Sequence, residues 1–185
     1  MEKKMEKMAK EEWAIVLDYL PYGYALSRER MPIIIALGTE HFSLLELVPR
    51  KGVKIELQEK VYIGEGQRDK IYFIKGRANP EKLTETAKIN LQEVVHKILK
   101  EKPEIIVKFF NEAQAINKRV HMIEMLPGFG KKHTEQILKA REEKPFESVE
   151  DIKARVKNIP DPFKAVEKKI IQECTQKEKY KFFVK

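Results

Sequence analysis

The chain has one cysteine, one tryptophan and no run of about 18 apolar residues, and each shortage excludes something. Cys174 alone can form no intramolecular disulfide, and neither it nor the four histidines stand at a zinc-ligand spacing. No structural metal and no cofactor is therefore expected. Without a long apolar run no membrane-spanning helix is expected, and Met1-Glu2-Lys3-Lys4 lacks the apolar stretch of a secretory signal. The expectation is a soluble, cytoplasmic protein. A phosphate-cradling loop of the nucleotide-binding kind is also missing. Gly64-Glu65-Gly66 is short, lacks the glycine and lysine that should follow, and reads as a hairpin turn. His41, His96, His121 and His133 are scattered, and the last two are expected to pack around a turn rather than act as bases.

Charge is what the chain has in excess. Charged residues make up 36% of it, against about a quarter in an average protein. The net charge is +8 and the pI near 9.3, which suits an anionic partner. From Lys118 to Lys185 there are 17 basic and 11 acidic residues, whereas the preceding 117 residues hold 20 and 18. Most of the excess thus lies in the C-terminal third.

The length of 185 residues admits two small domains, and the texture changes along it accordingly. Residues 1–11 alternate charges with methionines and read as a flexible tail. Residues 12–78 hold short apolar or alternating runs at Trp13–Asp18, Pro32–Leu37, Phe42–Val48, Val53–Leu57, Lys60–Ile63 and Lys70–Ile74. Glycine-bearing turns separate them, so a small OB-like β-barrel that closes its own edges is expected. Residues 79–116 turn helical. Leu91, Val94, Val95, Ile98 and Leu99 form one apolar stripe on a helix ending before Pro103, and Ile105, Ile106, Phe109 and Phe110 form a second. These are expected to be linker helices. Residues 117–176 read as an all-α module, and in residues 177–185 Tyr180, Phe182 and Val184 share one face of an expected C-terminal strand that docks on the barrel. The fold class is thus α+β.

The most specific stretch is Leu126-Pro127-Gly128-Phe129-Gly130-Lys131-Lys132. Val120 and Ile123 suggest a short helix before it, and Ile137 and Leu138 mark a second helix after it. Helix N-termini carry unpaired amides and the positive end of the helix dipole, so the start of the second helix is a natural phosphate site. Lys131 and Lys132 add charge there. This stretch resembles the helix-hairpin-helix family, down to the connector Pro145-Phe146-Glu147-Ser148-Val149-Glu150-Asp151-Ile152. Ser148 is a candidate N-cap. Ile152, Val156, Ile159-Pro160-Asp161-Pro162-Phe163 and the stripe Val166, Ile170, Ile171 and Cys174 repeat the plan, with Asp161 where the first copy has a glycine. The second hairpin is therefore expected to support the fold and the first to bind phosphate.

The resemblance implies binding of DNA or RNA through backbone phosphate at Leu126, Gly128, Phe129, Gly130, Lys131 and Lys132, and a monovalent cation sometimes held by hairpin carbonyls. Over nearly its whole length the chain also resembles an uncharacterised archaeal family of predicted nucleic-acid-binding proteins, OB-like at the N-terminus and helix-hairpin-helix at the C-terminus. Besides the hairpin, Leu17-Asp18-Tyr19-Leu20-Pro21-Tyr22-Gly23, Leu45-Glu46-Leu47-Val48-Pro49, Val61-Tyr62-Ile63-Gly64 and Arg68-Asp69-Lys70-Ile71 carry it. If the barrel binds too, Tyr22, Tyr24, Arg28, Arg30, Tyr62, Lys70 and Tyr72 are its candidates for contacting single strands or RNA. Two readings compete: a protein-interaction scaffold, and a DNA glycosylase or lyase in which Lys132 forms a Schiff base with help from Asp151. The β-rich texture before the hairpin argues against the enzyme, and no catalytic residue is assigned.

Overall fold

The computed structural model describes residues 10–185. It falls into two compact units, one running to Val94 and including Gln172–Lys185, the other comprising Val95–Ile171. The class is mixed α+β. Among the described residues no helix is long and apolar enough to cross a membrane.

The first unit is built on five antiparallel strands, β1 (Trp13–Leu20), β2 (Ile33–Gly38), β3 (Leu44–Pro49), β4 (Lys60–Tyr62) and β5 (Ile71–Arg77), in the order β4-β1-β2-β3-β5. The sheet curls into a half-barrel around Ala14, Val16, Ile34, Ala36, Leu45, Leu47, Val61, Ile63 and Ile71. Alternation puts those side chains inward. Leu17 escapes it because a bulge between Val16 and Asp18 leaves it opposite no residue of β2. Every residue of β2 is buried, so both faces of the sheet are covered there. On the outer side, Asn90 of α1 (Glu85–Glu101) donates to the Leu17 carbonyl at 2.8 Å, and Thr84 hydrogen-bonds the Asp18 carboxylate.

Three expectations about the sheet and its N-terminal edge need correction. The barrel does not close, since β4 and β5 are both edges of the sheet. β4 has three residues, and β5 shifts register twice against β3, which bends it away from a regular ladder. Val53–Leu57 is not a strand. The Gln58 amide and the Glu59 carbonyl take the edge of β1 at Val16 instead, and only the half-buried Ile55 uses the apolar pattern, packing on the core. Glu11 is no tail residue. It is buried, and its carboxylate accepts the amides of Glu40, His41 and Ser43 at 2.8, 2.9 and 3.2 Å; the rest of the expected tail, up to residue 9, lies outside the described residues.

Residues 180–185 also form no strand. The amides of Phe182, Phe183 and Val184 all donate to the buried Glu173 carboxylate, at 2.9 to 3.0 Å. Successive amides of a strand point to opposite sides, so three in a row on one carboxylate require a curled chain. The segment still reaches the sheet, where Lys185 N–H donates to the His41 carbonyl and Ser43 Oγ to the Lys185 carbonyl.

The second unit holds the end of α1, then α2 (Glu104–Glu112), α3 (Lys131–Glu143), α4 (Val149–Arg155) and most of α5 (Pro162–Thr175). α1 runs from the first unit into the second, as expected of a linker helix, and the helices in residues 79–116 also supply buried side chains. Leu91 and Val94 are buried in the first unit, and Ile98, Leu99, Ile106 and Phe110 in the second. α1 ends where Pro103 withholds an amide. The connector before α4 is tied twice. Asn111 donates to the Phe146 carbonyl at 2.9 Å and accepts its amide at 2.8 Å, and the Arg155 guanidinium lies 4.8 Å from the Phe146 ring centroid.

Candidate nucleic-acid interface

The candidate site is built on the loop that runs into α3. Its first arm is one 3-10 turn, Met122–Met125, and not the helix expected over Val120 and Ile123. Val120 is used otherwise: its carbonyl accepts the amides of Ile116 and Asn117, which folds the preceding loop back on itself. His121 then starts the turn. Its Nδ1 accepts the Ile123 amide at 3.2 Å while Glu124 accepts the His121 amide, a reciprocal cap. Burial, with the positive charge of Arg141 as the second cause, holds the His121 pKa below its usual value and keeps the ring the neutral acceptor this cap requires.

Leu126 and Phe129 anchor the loop. Both are buried, and Phe129 packs 5.7 Å from Phe110 and 5.8 Å from His133, centroid to centroid. Their side chains are core, so any ligand contact they make runs through the backbone. Gly128 is exposed with φ +84°, a conformation side chains disfavour, and a Cβ there would stand 3.2 Å from Cγ of Pro160 in the second loop. Pro160 is a neighbour that sequence spacing alone did not pair with Gly128.

Gly130 caps α3 without a side chain. Its own amide donates to His133 Nδ1 at 3.1 Å, and Thr134 Oγ1 donates to its carbonyl at 3.0 Å. The amides that open α3, from Lys131 to His133, receive no acceptor from a cap side chain, and nothing lies within 4 Å of a Cβ placed on Gly130. Lys131 and Lys132 are exposed beside them and have no ion-pair partner among the described residues. The start of α5 is closed by contrast. Asp161 accepts the Lys164 amide at 3.1 Å and pairs with Lys153 at 3.0 Å, and Pro162 has no amide to offer.

The carbonyls of Ile123 and Leu126 accept the amides of Leu126 and Phe129, each at 3.1 Å. A second lone pair stays on each, so a monovalent cation would share oxygens already in use. Among the described residues no group of three His, Cys, Asp or Glu side chains is placed to hold a metal ion.

The sheet candidates are dispersed and differ in their availability. Tyr22, Arg28 and Arg30 are exposed on the loop between β1 and β2. Tyr24 on the same loop donates its hydroxyl to Glu46 at 2.7 Å, and burial together with that carboxylate pushes the phenol well above its usual pKa. Lys70 is taken by Glu59 at 2.6 Å. The Tyr62 hydroxyl accepts the Gly66 amide at 3.1 Å, and the ring meets Trp13 edge-on. Tyr72 is 64% exposed and meets the Phe73 ring in a T-shaped contact at 5.5 Å. Asp151, the carboxylate an enzyme reading needs, is engaged by the Glu147 amide and by Arg155 at 3.0 and 3.2 Å.

The chain is 41% identical to a protein whose solved structure is described as the crystal structure of Af1531 from Archaeoglobus fulgidus, family-model DUF655. The two superpose with a TM-score of 0.80 over 95% of this chain and all of that one. It is also 42% identical to the uncharacterized protein MJ0038 of Methanocaldococcus jannaschii, over 99% of this chain and 84% of that protein. The model of one family matches residues 10–185, which places the chain in that family, described as protein of unknown function DUF655.

Proposed function

We propose that this protein binds nucleic acid without reading its sequence, by holding backbone phosphate at the start of α3. The observation that carries the reading is the difference between the two helix starts: Gly130 leaves α3 open beside Lys131 and Lys132, whereas Asp161 closes α5. A phosphate oxygen accepts hydrogen bonds from uncapped amides and is drawn by the dipole and both lysines. Contacts of this kind position a strand and carry no base code.

The two loops, in contact at Gly128 and Pro160 and each followed by a helix, support reading residues 117–176 as a tandem helix-hairpin-helix with one working copy. The strand order, with β5 beyond β3 and β4 on the far edge of β1, supports an OB-like reading of the first unit. Tyr22, Arg28, Arg30 and Tyr72 are its available contacts for a single strand.

The test is fluorescence anisotropy with duplex DNA, single-stranded DNA and RNA across a salt series. Binding with a negative log-log salt slope of about two to three units, the release expected from a few phosphates, supports the reading. Replacing Lys131 and Lys132 by alanine flattens that slope. Failure to bind any of the three at low salt contradicts it.

A further inference from the structure

The loop between β1 and β2, residues 21–32, is tied down from its base to the turn at its tip. Gly23 has φ +73°, its amide donates to the Leu20 carbonyl at 3.1 Å, and a Cβ there would stand 2.8 Å from the Met31 carbonyl oxygen. The two arms of the loop therefore meet at the base, where only glycine fits. Tyr24 is held at its hydroxyl by Glu46 and over its ring by Lys82, whose Nζ lies 5.8 Å from the centroid. The Ser27 amide donates to the Tyr24 carbonyl at 3.0 Å, so Tyr24–Ser27 is a β-turn with Ala25 and Leu26 at its centre. Ser27 Oγ accepts the Glu29 amide at 3.2 Å, and Glu29 pairs with Lys75 at 3.7 Å. What this frame presents is apolar and cationic. Leu26, at the turn, is 100% exposed and Tyr22 is 80% exposed. Arg28 and Arg30 are exposed on the same loop, with no ion-pair partner among the described residues. A turn centre suits glycine, asparagine or aspartate, so the leucine contributes nothing to the turn itself.

An apolar tip this small does not make a stable protein interface, which takes about 800 Å² from each partner. One leucine is enough to enter between two base pairs, and unpaired guanidinium groups beside it match the phosphates that flank an opened step. Resting on the nucleic-acid reading above, we propose that the β1–β2 loop is a wedge that unstacks one base step of duplex DNA. Leu26 enters the step, and Arg28 and Arg30 meet the flanking phosphates. The loop belongs to the first unit and α3 to the second, so the two sites are separate. The wedge adds to the sequence-blind contact at α3 a preference for steps that open easily. Pyrimidine–purine steps and mismatches cost least to unstack, so the preference needs no hydrogen bond to a base.

The full chain is titrated with a DNA duplex carrying 2-aminopurine beside a T–A step, the same duplex mismatched at that step, and the labelled single strand. Anisotropy reads binding, and 2-aminopurine fluorescence, which rises when the base loses its stacking neighbour, reads the wedge. Duplex binding should raise the fluorescence, and the mismatched duplex should bind more tightly than the matched one. Leu26→Ser should melt like wild type, because the side chain stands in water. It should weaken duplex binding about tenfold, as loss of a buried leucine does, abolish the fluorescence rise and leave single-strand affinity unchanged. Duplex binding by wild type without a rise, or a Leu26→Ser variant that matches wild type on duplex, overturns the wedge and leaves phosphate binding at α3 standing. Failure to bind any of the three overturns both. Sedimentation with phosphatidylserine vesicles that Leu26→Ser loses, with duplex binding untouched, would assign the loop to a membrane surface instead.

Discussion

Gly130 and Asp161 occupy the same place before two successive long helices, and only Asp161 closes the helix it precedes. The two helix starts therefore differ: that of α5 is capped and self-satisfied, and that of α3 is uncapped and flanked by lysines. Pro160, next to Asp161, packs on Gly128, so the loop before α5 also supports the loop before α3.

Asp161→Ala should cost about 1 kcal/mol, the usual loss for an N-cap, with the Lys153 pair adding little because it is largely solvated. Chemical denaturation reads this directly. Affinity for nucleic acid should stay within a factor of two or so, since the change leaves α3 untouched.

Glu173 holds the C-terminal segment by three amides. Glu173→Ala should destabilise the protein by about 3 kcal/mol, as loss of several hydrogen bonds to a buried charge does. Cys174 gives a second readout. It is 3% exposed, and burial pushes its thiol up to about 12, so it should resist alkylation in the native protein and react readily in the variant. Equal alkylation rates would contradict the latch.

The His121 cap predicts a pH dependence. Its folded pKa lies below the ordinary histidine value of 6.5, so the unfolded chain binds the proton first as pH falls. The contribution is therefore complete above pH 6.5 and is lost as the pH drops through the lowered folded value. His121→Asn keeps a capping oxygen that does not titrate, and it should flatten the stability profile in that range.

Asn111 donates to and accepts from Phe146. Asn111→Ala should cost about 2 kcal/mol, with two half-buried backbone groups left unpaired, and Asn111→Asp should fall between. A double-mutant cycle with Arg155→Ala measures whether the two ties on the connector couple.

Much of this was readable from residue types. The turn residues and alternation located β1, β2, β3, β4 and β5, and the apolar stripes located α1 and α2, because local pattern and burial agree there. Leu126 to Lys132 was legible as a loop into a helix because glycine, proline and a following lysine pair have few other uses. What was not legible depends on distant partners. Val53–Leu57 alternates like a strand but finds its edge already taken by Gln58 and Glu59. Phe182 and Val184 look strand-like until Glu173, nine and eleven residues earlier, gathers their amides. Glu11 reads as one more charge in a charged run, and its three amide donors lie about thirty residues on. The open seam likewise depends on β4 being three residues long, which composition does not reveal.

Phosphate binding at the uncapped start of α3 is probed at its root by Gly130→Asp. The position has ordinary φ and open space, so the side chain is accommodated, and as an N-cap it should leave stability unchanged or raise it by a few tenths of a kcal/mol. Its carboxylate would occupy the amides as Asp161 does at α5. Anisotropy at low salt should then show wild type binding nucleic acid and a folded Gly130→Asp losing most of that affinity for every sequence. Undiminished binding by the folded variant would mean that the start of α3 does not hold phosphate.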